Sequence, residues 1–412
     1  MTWRDVNCGL TRSPCSKSFE TNISGSPAVG ETRAVGGKDD SMTQHLALFD
    51  ADAAVRLPEG SSVAISLPTG NGGEVTIKIA TQYHTKQGMD PIPGALGFLI
   101  KGDATTIADA LKLFNNPTNF CANVIAVAAN AFLGPIDLVR VWECTANKTD
   151  RPFLHAAFNR GEVPRKSRSI TTEDASSLFQ GIFGIGDAND LARVIRAVGQ
   201  YRLALDAWNA ELPRSHAHLF MGIETLVPVA LRRKMRVGGL NKEGVMKSFH
   251  LDPNQPEGKR NTQLDSAIRL HELFGSDAKL HKEAKAASDG YEHGFLELAE
   301  IEKLAAASRA ETANCLRSAI LTLSMTSATQ LARLQDAKYQ TVFAPFMLVG
   351  VEGEIAAAPG ANVEVELDDL HPSVIITRNV FEPAEDDYSR NYEVALAGNR
   401  SNIVVRGPKV ID

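Results

Sequence analysis

Residues 189–208 read "NDLARVIRAVGQYRLALDAW", and Leu191, Val194, Ile195, Val198, Leu205 and Trp208 fall along one side of a helical period. Residues 215–233, "SHAHLFMGIETLVPVALRR", repeat the pattern with Leu219, Phe220, Ile223 and Leu226. Two amphipathic helices in succession must cover each other's apolar stripe, so the middle of the chain is predicted to be a helical bundle. Pro228 is expected to kink or end the second helix about one turn past Glu224, because proline has no N–H for the helical ladder. Further members are read in "TQLDSAIRLHELFG" (262–275), which stops at Gly275, and on either side of "SDGYEHGFLELAEIEK" (288–303). A long last helix is expected through "TANCLRSAILTLSMTSATQLARLQ" (312–335), giving about five or six helices over residues 171–338. Residues 251–262, "LDPNQPEGKRNT", read as a polar loop inside the bundle.

Outside the bundle the period changes. "SSVAISLP" (61–68) and "EVTIKIAT" (74–81) alternate apolar and polar residues, with Val75, Ile77 and Ile79 on one face and Gly-Asn-Gly-Gly at 70–73 as the hairpin turn. "GALGFLIKG" (94–102) is a third strand, and "TTIADALKLF" (105–114) starts a helix with Thr105 or Thr106 as its N-cap. The apolar run "FCANVIAVAANAFLGPI" (120–136) reads as a buried core helix, and "IDLVRVWECT" (136–145) returns to strand alternation. Residues 159–168, "NRGEVPRKSR", are read as a surface connector. After the bundle, "FAPFMLVGVEGEI", "NVEVELDD", "SVIITRNVF", "NYEVALA" and "NIVVRG" are five short strand candidates. The expected fold class is α+β, in three parts. These are a mixed, β-rich N-terminal domain at 42–165, the bundle at 171–338 and a small antiparallel β domain at 340–412. Residues 1–41, rich in Ser, Thr and Gly, are expected to be a disordered tail, with Met42 as an alternative start.

Composition narrows the function. Of 412 residues 22% are charged and the net charge is -6, so no global basic field points to nucleic acid. Five cysteines without a Cys-x-x-Cys pair predict a reducing cytoplasm and no disulfide framework. No apolar run reaches the roughly 18–20 residues that span a bilayer, so no membrane partner is expected. Phosphate-loop, dinucleotide and nucleophile-elbow motifs are missing, and no cofactor is expected. His216 and His218 in "RSHAH" with Glu224 would suggest a metal, but residues two apart on a helix diverge, so no metal is expected and His216 is read as a cap or surface residue. Glu224, set among apolar residues, needs a partner, for which Arg196 or Arg202 is expected. The basic cluster Arg232, Arg233, Lys234 and Arg236 reads either as an RNA-phosphate contact or as a solvated helix end.

The stretch "RAVGQYRLALDAWNAELPRSHAHLFMGIETLV" (196–227) resembles the central helices of bacterial HEPN-like proteins, with Tyr201, Ala204, Leu205, Glu224 and Leu226 at the matching positions. The later "EHG" (292–294) resembles the end of that family's catalytic motif, although residues 286–289 are Ala, Ala, Ser and Asp where its arginine would stand. The resemblance spans about 190–325 and implies metal-independent RNA cleavage in a defence or stress system, by a homodimer formed through the bundle. His293 would then take the ribose 2'-hydroxyl proton, and Arg317 or Arg309 would fold back to offset phosphorane charge, with Glu224 as a third residue. The structural alternative makes Gly290 and Gly294 the brackets of an interhelical corner plugged by Tyr291 and His293. The functional alternative is a non-enzymatic sensor or scaffold that binds a protein partner through its β domains.

Overall fold

The structure, a computed structural model, describes residues 42–69, 73–84, 92–144, 153–155, 167–325, 327–343, 350–357, 373–383, 388–397 and 403–411. The expected tail at 1–41, the turn at 70–72, the strand candidate at 362–369 and most of the 159–168 connector lie outside these residues.

The chain is mixed α+β with an antiparallel sheet. Strands β1 (Thr43–Ala53), β3 (Val63–Pro68), β4 (Glu74–His84), β5 (Ile92–Ala104), β6 (Leu133–Glu143) and β7 (Phe153–His155) pair in the order β3-β4-β5-β1-β6-β7. Each neighbouring pair is antiparallel. The alternation read in the sequence sets the register. Val63 faces Ile79, Ile65 faces Ile77 and Leu67 faces Val75, and all six are buried. Two-residue strands β2 (Val55–Arg56) and β8 (Arg168–Ser169) pair in parallel, so the end of the supposed surface connector is built into the fold.

Helix α1 (Ile107–Ala129) covers the sheet. Thr106 is its N-cap, accepting from the Asp109 N–H at 3.1 Å. From Phe120 to Ala129 it is buried nearly all round, because the sheet lies on one side and α2 and α3 on the other. The helix expected across 120–136 therefore stops earlier. Asn130 takes a left-handed conformation at φ 47°, and the chain leaves into β6 at Leu133.

The bundle has more members than expected among the described residues. It comprises α2 (Thr172–Phe183), α3 (Ala188–Asp206), α4 (Leu212–Gly238), α5 (Lys242–Ser248), α6 (Glu257–Ile268), α7 (Ala278–His293), α8 (Leu298–Ser324) and α9 (Ala328–Leu334). A π-helical turn, Arg269–Leu273, follows α6, and a 3-10 turn, Ala337–Tyr339, follows α9. Three expectations change here. Of the two outcomes expected at Pro228, the helix end is overturned: α4 runs through it, because Leu226, Val227, Val229 and Ala230 are buried against its neighbours and hold the backbone helical across the missing hydrogen bond. The last long helix breaks after Ser324, where Met325 is extended and Ser327 caps α9. The second half of the 251–262 loop is helical from Glu257.

The pause at 289–294 is a helix end. Helix α7 continues through Asp289 and Gly290 to His293, and Gly294, at φ +66°, supplies the left-handed residue that closes it. A Cβ on Gly290 would stand 2.7 Å from the Leu296 side chain, so that glycine lets α7 and the following turn approach closely. The supposed plugs face solvent, with Tyr291 43% exposed and His293 exposed beside it.

One hydrophobic cluster joins Ile77 and Phe98 of the sheet through Phe114 and Ile125 of α1 to Tyr201, Phe220 and Ile320 of the bundle. Beyond it, β9 (Gly350–Ala357) pairs with β12 (Ile403–Ile411), and β10 (Ser373–Pro383) pairs with β11 (Tyr388–Ala397), both antiparallel. No helix among the described residues is long and apolar enough to cross a membrane.

Candidate functional site

Helix α4 holds Glu224 and the basic cluster 232–236, α7 holds His293, and α8 holds Arg309 and Arg317. Helix α7 is antiparallel to α4, which brings Asp289 and Glu292 close enough to perturb Glu224. Burial raises the Glu224 carboxyl above its ordinary range, Arg269 opposes the shift, and Glu292 and Asp289 add to it. The partner of Glu224 is Arg269, on the π-helical turn, at 2.5 Å. It is neither of the expected arginines. Arg196 is exposed, and Arg202 faces α1 and β6, donating to the carbonyls of Leu133 and Gly134 and to the side-chain oxygens of Asn119 and Asn123.

Glu224 thus lies near the end of α7 that carries His293, but the expected cation does not. Arg317 is 4% exposed and donates to Val127 O at 2.7 Å, Ala128 O at 3.0 Å and Leu334 O at 2.6 Å. It caps carbonyls at the C-terminal, negative end of α1. Burial lowers its pKa to about 10, which leaves it a cation at neutral pH. Most of α8 separates it from the corner, about 28 Å of helix. Arg309 is also committed, donating to Trp208 O with its guanidinium 4.1 Å from the Trp208 ring centre.

The two histidines of "RSHAH" diverge, as their spacing dictates. His216 is 1% exposed, a correction to its reading as a cap or surface residue, and its Nε2 lies 3.0 Å from Ser308 Oγ on α8. His218 Nδ1 lies 2.7 Å from Gln200 Oε1 on α3. Burial lowers both to about 4, helped by Arg309 at His216 and by Arg214 at His218, so both are neutral at pH 7. Among the described residues no group of three His, Cys, Asp or Glu side chains could hold a metal.

The basic cluster divides. Arg232 is paired with Asp190 at the start of α3, and Lys234 with Glu272 at 2.6 Å while lying 4.7 Å from the Phe249 ring centre. Arg233 and Arg236 are exposed and make no ion pair among the described residues.

Sequence reasoning missed a cavity of about 350 Å³ between α4, the π-helical turn and α8, lined by Ala230, Arg233, Leu273, Cys315, Ser318 and Thr322 among others. A second hollow of about 390 Å³ adjoins it, sharing Asn314 and Ser318 and reaching Gln335 and Gln340. Burial pushes the Cys315 thiol up to about 11, with Glu311 and Asp277 adding to the shift, so the protonated thiol is the dominant form at neutral pH. These walls can donate hydrogen bonds, and the carboxylate among them, Glu272, is ion-paired with Lys234. The sequence signal was the small polar run Asn314, Cys315, Ser318 and Thr322 along one side of α8. Comparison with protein-family models, curated proteins and solved structures returned no match.

Proposed function

We propose that this chain is a non-enzymatic scaffold or sensor, its helical bundle and β elements serving to bind a protein partner. One observation supports this reading above the ribonuclease reading. Arg317 gives its guanidinium to three main-chain carbonyls at the far end of α8 from His293. Metal-free RNA cleavage needs a base and a cation at the same phosphate, and an exposed imidazole alone supplies half of that pair. The three-part division, with a small β domain at 340–412, belongs to the same proposal, since sheet edges offer a partner strand its hydrogen bonds. Total RNA and tRNA incubated with the purified protein stay intact, and His293→Ala behaves as wild type. Cleavage that His293→Ala abolishes would overturn the reading.

A second reading, RNA contact without cleavage, is favoured by Arg233 and Arg236, which lie exposed with no acidic partner among the described residues. It predicts RNA retention on filters that weakens with salt as about two phosphate contacts would, and that is lost in the Arg233→Ala, Arg236→Ala double variant. Unchanged retention in the double variant would remove it.

A further inference from the structure

Large apolar side chains left in water cluster at two places on the bundle. At the α7–α8 corner Tyr291, Phe295 and Leu298 are 43%, 61% and 59% exposed. At the end of α4, Val237 is 76% and Leu240 37% exposed. Exposed apolar groups are ordinary when scattered, but clusters rimmed by charge mark contact surfaces.

The rims have opposite sign. Around the corner stand exposed Glu292, Glu297 and Glu300, and Glu297 and Glu300 make no ion pair among the described residues. Around the α4 end stand Arg233 and Arg236 with Lys242, whose ammonium donates to the neutral Asn261 side chain at 2.7 Å. Glu243 is the one carboxylate between 232 and 243. The corner is therefore an acidic apolar knob and the helix end a basic apolar one.

One copy cannot join its own two patches. Helix α8 runs parallel to α4, since Ser308 meets His216 while Ala230 and Arg233 face the cavity wall formed by Ser318 to Leu323. The corner therefore lies on the side of Glu224 towards the start of α4, and Val237 lies on the other side, about 20 Å along the helix from Glu224.

We propose that copies of this chain associate head to tail, the Phe295–Leu298 corner of one seating against the Val237–Leu240 end of the next. Apolar contact supplies the attraction, and the carboxylate and guanidinium rims set which ends meet. If the geometry closes, two copies satisfy both contacts in a two-fold pair; if not, the contact propagates into longer assemblies.

Sedimentation velocity on the full chain tests it. The wild type sediments above single-chain mass at low salt and dissociates as salt rises from about 0.05 to about 0.5 M. Reversing the corner (Glu297→Arg, Glu300→Arg) or the helix end (Arg233→Glu, Arg236→Glu) gives single chains in each case. Mixed in equal amounts, the two reversed variants re-associate, because each then offers the charge that the other lacks; this also shows that both are folded. Phe295→Ser raises the dissociation constant by about tenfold or more. A wild type of single-chain mass at every concentration, or association that neither reversal changes, overturns the proposal.

Discussion

Burying a guanidinium is costly unless each hydrogen that it donates finds an acceptor. Arg317 places three of its five hydrogens, those on Nε and Nη2, on the carbonyls of Val127, Ala128 and Leu334. Arg317→Ala removes three hydrogen bonds to buried carbonyls, of which Val127 O keeps the Asn130 N–H, and is expected to lower unfolding free energy by about 3 kcal/mol in urea titration, whereas His293→Ala changes it by less than about 0.5 kcal/mol. The buried histidine gives a pH dependence whose sign follows from its direction of shift. The unfolded chain binds a proton near pH 6.5, and folded His216 does so only near about 4. Its stabilising effect is thus full above pH 6.5 and is lost as pH falls towards 4. About 3 kcal/mol goes over that window from His216. His216→Asn should flatten the slope of stability between those pH values, with His218 left to supply the remainder.

At the scale of elements, the strands and most helices could be read because their signal is local. Val63, Ile65 and Leu67 alternate, and the sheet takes up that alternation without change. Thr106 caps α1 as its hydroxyl predicts. What could not be read was decided by neighbours distant in sequence. Pro228 interrupts one hydrogen bond, but packing around Leu226 to Ala230 outweighs it. The partner of Glu224 came from the π-helical turn, since Arg202 already faces β6 and α1. The cavity beside Cys315 left almost no trace, because its wall comes from three separate elements. The α7 terminus illustrates the local rule most plainly. Gly294 holds a left-handed backbone, so Gly294→Ala should lower the melting temperature by the equivalent of about 1 kcal/mol, and Gly294→Asn by less.

For the whole molecule, the question is how the sheet and the bundle unfold relative to one another. Their shared core passes through α1, and the end of α1 is fastened from several sides. Asn130 donates to Tyr339 O at 2.5 Å and accepts from the Tyr201 hydroxyl. Arg168 donates to Ala129 O and Asn130 O at 3.1 Å and to Thr341 O at 2.9 Å. Ala131 bridges to Phe343, and Arg333 of α9 pairs with Glu173 and Asp174 of α2. With the junction this heavily bonded, neither side keeps its apolar surface covered after the other opens, so one cooperative transition is expected. The tryptophans permit a direct check, since Trp142 lies on β6 and Trp208 at the turn between α3 and α4. With Trp3 replaced, single-tryptophan variants that keep only Trp142 or only Trp208 should give the same urea midpoint. Asn130→Ala, which removes two buried hydrogen bonds and strains a left-handed position, should move both midpoints together by the equivalent of about 3 kcal/mol. If Trp142 and Trp208 report separate transitions, or if Asn130→Ala moves one and leaves the other, the sheet and the bundle are independent units and α1 belongs to only one of them.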